Sequence, residues 1–265
     1  MDSYAKRFGG ISRLYGKEGL ERLRRAHVCV VGLGGVGSWA VEALARSGLG
    51  ALTLVDLDDV CISNINRQLH AVEGELGRPK VEVMARRVRA INPYCAVHPV
   101  QAFFLKSNAA EILQTAFDYV LDAFDSPSRK CVLIAACRKR GIPVITSGAA
   151  AGRRDPTAVE VTDLAFSSHD RLLQEVRGKL RSRHGFPRGT QPFGVECVLS
   201  REPAVYPAPD GRVGPAPGEA QDLRIDCHSG FGTASFVTGT FGFVAAARIV
   251  ERIAAAGEGR NPKEG

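Results

Sequence analysis

The chain has 265 residues, 45% of them hydrophobic and 24% charged. These are the proportions of a globular protein with room for one substantial core, and they exclude a fibrous or low-complexity chain. A formal net charge of +7 favours an anionic partner, nucleic acid first, although a solvated basic surface gives the same sum.

The seven cysteines, Cys29, Cys61, Cys95, Cys131, Cys137, Cys197 and Cys227, are odd in number and include no C-x-x-C pair. That argues against a disulfide framework or a four-thiolate zinc site and fits reduced thiols in the cytoplasm. The first residues lack a basic stretch followed by an apolar run, so no signal peptide is read there. Arg7-Phe8-Gly9-Gly10 and Arg13-Leu14-Tyr15-Gly16 form an N-terminal arm that leads into a short charged helix through Arg25. His27–Val31 is a β-branched apolar run stopped by Gly32, the pattern of a buried parallel strand. Residues 35–47 switch to helical spacing, with Val36, Trp39, Ala40, Ala43 and Leu44 on one face and Gly48 as the stop.

Ala51–Val55 reads as a second strand closed by Asp56. Pro79 opens a helix whose apolar face is Val81, Met84, Ala85 and Val88. Ala96–Val100 and residues 119–121 follow as strands, Pro127 opens a helix ended by Gly141, and residues 144–146 are the next strand. This alternation predicts an α/β fold, a Rossmann-like, doubly wound, mostly parallel sheet with an N-terminal helical arm and a C-terminal extension. Beyond Gly152 the pattern predicts a strand over 158–161, a basic helix over 172–183, a loop over 203–218 and a closing helix over 231–256. Residues 229–247 carry no charge and approach the length of a membrane span. Their glycines, serines and threonines read instead as a buried core helix, and no stable membrane insertion is expected. With no repeat or linker, residues 1–256 read as one domain. It comprises an arm (1–26), a nucleotide-binding core (27–150) and a C-terminal part (151–256) with a mobile loop near 185–219; a disordered tail (257–265) follows.

Gly32-Leu33-Gly34-Gly35-Val36-Gly37 follows a strand and opens a helix, which is G-x-G-x-x-G in the context that binds phosphate. Asp56, at the end of the next strand, is placed to accept from a ribose hydroxyl. These features indicate a nucleotide without separating NAD from ATP. The next segment does: Asp56-Leu57-Asp58-Asp59-Val60-Cys61-Ile62-Ser63-Asn64-Ile65-Asn66-Arg67-Gln68, followed by Lys80. A triphosphate needs such an Arg and Lys, and a nicotinamide dinucleotide does not.

The pattern G-x-G-G-x-G, then D-x-D-x-V-x-x-S-N-x-x-R-Q, then Lys resembles the ubiquitin-activating-like family, which includes the molybdopterin- and thiamin-biosynthesis adenylyltransferases. The resemblance implies that ATP and Mg²⁺ are held by Gly32, Gly34, Gly35, Gly37, Asp56, Asp58, Ser63, Asn64, Asn66, Arg67 and Lys80. Asp125 in Leu121-Asp122-Ala123-Phe124-Asp125-Ser126 matches the family's magnesium-associated catalytic Asp, with Ser126 in place of the usual Asn. Asp122 is the second candidate in that stretch; its alternative reading is a cap on the helix opened by Pro127. The resemblance also implies a homodimer in which an arginine of the arm, Arg13 or else Arg7, reaches the partner's ATP. Arg67, Lys80, Asp125 and Arg13 are thus the candidate catalytic residues.

Further stretches, among them Arg7-Phe8-Gly9-Gly10, Gly37-Ser38-Trp39-Ala40, Arg67-Gln68-Leu69-His70-Ala71, Ile91-Asn92-Pro93 and Ser229-Gly230-Phe231-Gly232, are similar to the bacterial tRNA threonylcarbamoyladenosine dehydratases. This implies a tRNA substrate carrying threonylcarbamoyladenosine, adenylation of its threonyl carboxylate and ring closure within the same molecule. The basic clusters, including Arg86, Arg87, Arg89, Arg138, Lys139, Arg140 and those between Arg177 and Arg188, would then neutralise tRNA phosphates. Competing readings are adenylation of the C-terminal glycine of a ubiquitin-like sulfur carrier, a non-catalytic subunit beside a sulfur-transfer partner protein, and an NAD-dependent oxidoreductase. Cys197 and Cys227 are candidate thiol nucleophiles, and His70 and His228 candidate proton shuttles, each against a plain structural role.

Overall fold

The computed structural model describes residues 3–208, 210–215 and 231–256. Its elements are α1 (Ser3–Arg25), β1 (His27–Val31), α2 (Gly37–Arg46), β2 (Ala51–Val55), α3 (Lys80–Ile91), β3 (Ala96–Val100), α4 (Ala109–Ile112), β4 (Tyr119–Asp122) and α5 (Pro127–Arg140). Then come β5 (Val144–Ser147), β6 (Val159–Asp163), α6 (Arg171–Arg183), β7 (Glu196–Ser200), β8 (Tyr206–Pro207), β9 (Val213–Gly214) and α7 (Ser235–Ala255).

Seven strands form one sheet in the order β3-β2-β1-β4-β5-β7-β6. Neighbours are parallel except β6, which runs antiparallel to β7. Alternation along the central strands explains their uniformly apolar sequence. Val28, Val30, Leu52 and Leu54 enter the core shared with α1, α2, α3 and α7. Cys29, Val31 and Val55 enter the core under α4, α5 and α6 on the other face. Val31 pairs with both Val55 and Asp122, so β2, β1 and β4 end at one level. The strand order reverses between β1 and β4, which opens a crevice outside their carboxyl ends.

The expected α/β architecture is therefore present, with local differences. The arm is itself helical from Ser3, interrupted by non-helical backbone at Phe8 and Gly16. Tyr4 and Phe8 are buried, their rings 4.8 Å apart, and the Tyr4 hydroxyl donates to the Gly48 carbonyl. The stretch read as a loop over 185–219 contains β7, buried between β5 and β6. The loop read over 203–218 contains the β8–β9 hairpin. The last helix begins at Ser235 rather than at 231, because Ala234 is extended. Residues 216–219, Cys227, His228, Ser229, Gly230 and the tail 257–265 lie outside the described residues. Among those described, no helix is long and apolar enough to cross a membrane.

α7 is apolar because it lies in the core against α2. A Cβ on Gly242 would meet the Val36 carbonyl oxygen at 2.5 Å and the Ala40 nitrogen at 2.9 Å, contacts that backbone cannot relieve by a rotamer change. Gly242→Ala therefore lowers stability by about 2 kcal/mol through overpacking, although alanine is the better helix former. Gly178→Ala, in α6 with open space around it, raises stability by about 1 kcal/mol. Urea denaturation of both variants checks the pair; equal shifts of the same sign would contradict the close helix contact.

Candidate active site

The crevice is built around the turn after β1. Gly32 has φ 93°, and a Cβ there would lie 2.9 Å from the Ala123 carbonyl carbon and the Phe124 nitrogen. A Cβ on Gly37 would lie 1.8 Å from the Gly32 oxygen. The turn is thus pressed between the β4–α5 connection and the first turn of α2, and only glycine fits at those positions. A Cβ on Gly35 would come within 3.1 Å of Thr238, whereas one on Gly34 would meet only the Gln68 amide, at 3.9 Å. Gly34 therefore leaves its backbone open to a phosphate at the N-terminus of α2, where peptide N–H groups and the helix dipole favour negative charge.

Asp56 clamps this turn. Its Oδ2 accepts from Leu33 N at 2.6 Å and its Oδ1 from Asp58 N at 2.9 Å. Burial pushes its pKa up, against the opposing pull of Lys80. Lys80, at the start of α3, is buried along its stem and donates to Asp58 Oδ2 at 3.0 Å. A short 3-10 turn, Ile62–Asn64, and the turn after it carry the next group. Asn64 is buried and its Oδ1 accepts from Cys61 N. Arg67 donates to the Ser63 carbonyl at 2.6 Å and to Asn66 Oδ1 at 3.0 Å. The Asn66 amide donates to the Thr233 carbonyl. Trp39 Nε1 and the Thr238 hydroxyl both donate to the Arg67 carbonyl, fixing this segment to α2 and α7. Asn64 and Asn66 thus serve this backbone in the structure, Arg67 is tied to the same turn, and Lys80 joins Asp58 beside Asp56.

Asp125 is exposed on the β4–α5 connection, immediately after the residues that abut Gly32. Asp122 is different. It is fully buried, pairs with the fully buried Lys130 at 2.9 Å, and accepts from the Thr146 hydroxyl at 2.7 Å. Burial pushes its pKa up, while Lys130 and Thr146 oppose that shift. It neither faces a nucleotide nor caps α5, whose N-cap is Ser126 without a side-chain bond. Breaking such a buried pair on one side leaves an uncompensated charge, so Asp122 is a structural tie between β4, α5 and β5.

Burial also bears on two further candidates. His70 is buried at 2% exposure, and burial followed by the charge of Lys80 pushes its pKa down to about 4, so at neutral pH its ring is uncharged and closed off from solvent, which argues against a shuttle. Cys197 is buried in the middle of β7, and burial raises its thiol pKa, which removes it as a nucleophile. Arg7 donates to the Ile91 carbonyl, about 16 Å along α3 from Lys80, so it does not reach the crevice of its own chain. Arg13 is exposed on α1. Gln68, quoted in the motif but not singled out, is buried beside Gly34, with its Oε1 lacking a partner among the described residues. Its place directly after Arg67 is the signal that could have found it.

A tight glycine turn at the strand-order switch, clamped by Asp56 and followed by the Lys80–Asp58 pair, has the form of a nucleotide-binding α/β enzyme. Residues 8–263 match the model of the ThiF family, and the chain belongs to that family. It is 48% identical over 256 residues to the tRNA threonylcarbamoyladenosine dehydratase of Escherichia coli strain K12, covering 96% of each chain. It is 44% identical over 254 residues to the protein of the same name from Haemophilus influenzae, covering 96% of this chain and 95% of that one. The crystal structure of the E. coli tRNA N6-threonylcarbamoyladenosine dehydratase in complex with ATP superposes with a TM-score of 0.85 at 44% identity, covering 96% of both chains.

The state of His70 has a measurable consequence. Its pKa is about 4 in the fold against about 6.5 in an unfolded chain. The unfolded state therefore binds more protons between those values, and stability falls as pH drops through that window. The loss amounts to about 3 kcal/mol. Urea midpoints of wild type and His70→Gln, compared from pH 7 to about 4, should converge as pH falls. Parallel curves would mean that His70 titrates normally.

Proposed function

We propose that this protein is an ATP-dependent enzyme that dehydrates threonylcarbamoyladenosine in tRNA, beside the anticodon, to a cyclic form. The observation that carries the reading is the 96% two-way coverage at 48% identity with a dehydratase of that name. The crevice residues Arg67, Lys80 and Asp125 support it. An oxygen of the threonyl carboxylate attacks the α-phosphorus of ATP, the bond to pyrophosphate breaks, and an acyl-adenylate forms. The carbamoyl group of the same nucleoside then attacks the activated carbonyl. AMP departs, the displaced proton passes to solvent, and the net change is loss of one water.

The residues divide the work. The backbone around Gly34 and the start of α2 receive phosphates, with Gly32, Gly35 and Gly37 shaping the turn. Asp56, while clamping the turn, keeps lone pairs for a ribose hydroxyl. Lys80 exchanges its half-exposed partner Asp58 for phosphate oxygens, and Arg67, held by Ser63 and Asn66, adds its positive charge. Asp125 is the carboxylate that would hold Mg²⁺. Among the described residues no cluster of His, Cys, Asp or Glu forms a metal cage, and a magnesium held chiefly by ATP phosphates needs only one such ligand. The ring closure asks for positioning alone, because its nucleophile is tethered. Residues 1–256 act as one catalytic unit, and its place is the cytoplasm.

The test is ATP–pyrophosphate exchange, with mass analysis of tRNA nucleosides. Exchange should require tRNA bearing threonylcarbamoyladenosine and yield a nucleoside lighter by one water. Lys80→Ala, Arg67→Ala or Asp125→Ala should each lower kcat/KM by about a hundredfold or more. Exchange that responds instead to a ubiquitin-like sulfur carrier would defeat the reading.

The enzyme acts as a homodimer in which Arg13 of one copy completes the other copy's site. Two features support this: Arg13 is exposed on α1, and the apolar side chains of Leu14, Ile62, Ile65, Phe236 and Phe243 are each exposed. Arg13→Ala and Lys80→Ala, each inactive alone, should regain activity when mixed and allowed to exchange subunits. A monomeric mass by light scattering, or no recovery on mixing, would rule it out.

A further inference from the structure

The basic residues fall into two groups according to whether a carboxylate neutralises them. On α3, Arg87 pairs with Glu42 and Arg86 with Glu75, each at 2.6 Å. On α7, Arg248 and Arg252 both reach Glu196, at 2.5 and 2.7 Å. On α1, Arg22 pairs with Glu18 and Arg24 with Glu21. At the C-terminal ends of α5 and α6 the situation is reversed. Arg138, Lys139, Arg140, Arg181, Arg183 and the following Arg188 enter none of the ion pairs among the described residues. The one acidic side chain on these two helices, Glu175, is taken by Lys179 at 2.6 Å.

This end of the molecule is also rigidly assembled. The Arg138 guanidinium lies 4.3 Å from the Phe186 ring centroid and that of Arg181 lies 5.3 Å from Phe193. The two rings stack edge to face at 5.0 Å and are buried. Arg181 also donates to the Pro187 and Gly189 carbonyls at 3.2 Å, which fastens the loop carrying Arg188 to α6. The result is a platform of cations on an aromatic floor, with Lys139, Arg140, Arg183 and Arg188 exposed. A favourable helix dipole explains cations in a last helical turn, but not Arg188, which lies beyond α6.

The platform has a fixed relation to the crevice. α5 starts two residues after Asp125 and is 14 residues long, so the basic end lies about 20 Å away. That is about six base steps of a duplex, the separation between a reacting base and backbone phosphates further along the same RNA. We propose that the α5–α6 platform is the docking surface for tRNA backbone phosphates while the modified adenosine occupies the crevice. The inference rests on the tRNA reading above and adds where the RNA lies. Contacts of this kind position the substrate without reading its sequence.

The experiment compares the full-length protein with the variant Lys139→Gln/Arg140→Gln/Arg183→Gln/Arg188→Gln and a control of equal charge change, Arg46→Gln/Arg201→Gln/Arg212→Gln/Arg252→Gln, which removes ion-paired cations elsewhere. Affinity for tRNA bearing threonylcarbamoyladenosine is measured by fluorescence anisotropy over a series of KCl concentrations, with steady-state kinetics alongside. Each phosphate contact contributes roughly 0.7 to 0.9 to the slope of log affinity against log salt, so loss of four should flatten the slope by about 3. The KM for tRNA should rise at least about tenfold, with the KM for ATP and kcat at saturating tRNA unchanged. The control should keep the wild-type slope. A wild-type slope in the quadruple variant that still binds ATP overturns the platform, as does an equal flattening in the control, which would indicate diffuse charge. If wild type neither binds nor turns over this tRNA, the functional reading itself falls, a distinct result.

Discussion

The crevice depends on one steric constraint, the contact between the turn after β1 and the connection after β4. Gly32 leaves no room for a side chain between itself and the Ala123–Phe124 backbone, and Gly37 closes on the Gly32 carbonyl from the other side. That contact sets how far apart the carboxyl ends of β1 and β4 open, and with it the position of Asp125 relative to the phosphate turn. Asp56 adds the third side by receiving the Leu33 amide. Parallel register alone would bring the strand ends level, but it would not aim the turn; the glycines and the Asp56 clamp do that.

Around this frame, charges sort into those that hold the scaffold and those left for a ligand. Lys130 and Asp122 are fully buried and mutually satisfied, with Thr146 completing the set; such a pair orders three elements but is too desolvated to exchange partners. Lys80 and Asp58 form the opposite case. The lysine stem is buried, yet its partner is 56% exposed, so the ammonium group can trade one carboxylate for phosphate oxygens at little cost. Two lysine–aspartate pairs of almost the same length thus differ in whether the aspartate is open to solvent.

This difference marks the boundary of what was legible in the sequence. The strands and turns around the crevice could be read, since glycine, proline and apolar runs punctuate them locally: β1, β2 and β3 have their expected limits. Strand β7 could not, because Glu196–Ser200 has no local pattern stronger than its Gly- and Arg-rich surroundings and is fixed by pairing with distant β5 and β6. Asp125 was the first and Asp122 the second candidate nucleotide ligand in Asp-Ala-Phe-Asp. What separates them is that β4 runs one residue further than expected, to Asp122, which turns that side chain onto Thr146 and Lys130. The same limit applies to the basic residues: composition supplies the sum, and only the fold shows which cations already have carboxylate partners.

The thiols bear on the chemistry. Activation of a carboxylate as an adenylate leaves a carbonyl that any thiolate nearby would capture, as sulfur-transfer chemistry requires. Here Cys29, Cys95, Cys131, Cys137 and Cys197 are buried, and burial raises their thiol pKa values, so none offers a thiolate at neutral pH. Cys61 is the one described cysteine that is not buried, and its sulfur accepts from Ser63 within the turn that carries Arg67. Its place in that turn ties it to the scaffold of the nucleotide site rather than to the acyl group. An acyl-adenylate formed in such a crevice is best consumed by a nucleophile that arrives with the substrate. A nucleoside whose carbamoyl group sits within reach of its own activated carboxylate meets that requirement without any enzyme thiol.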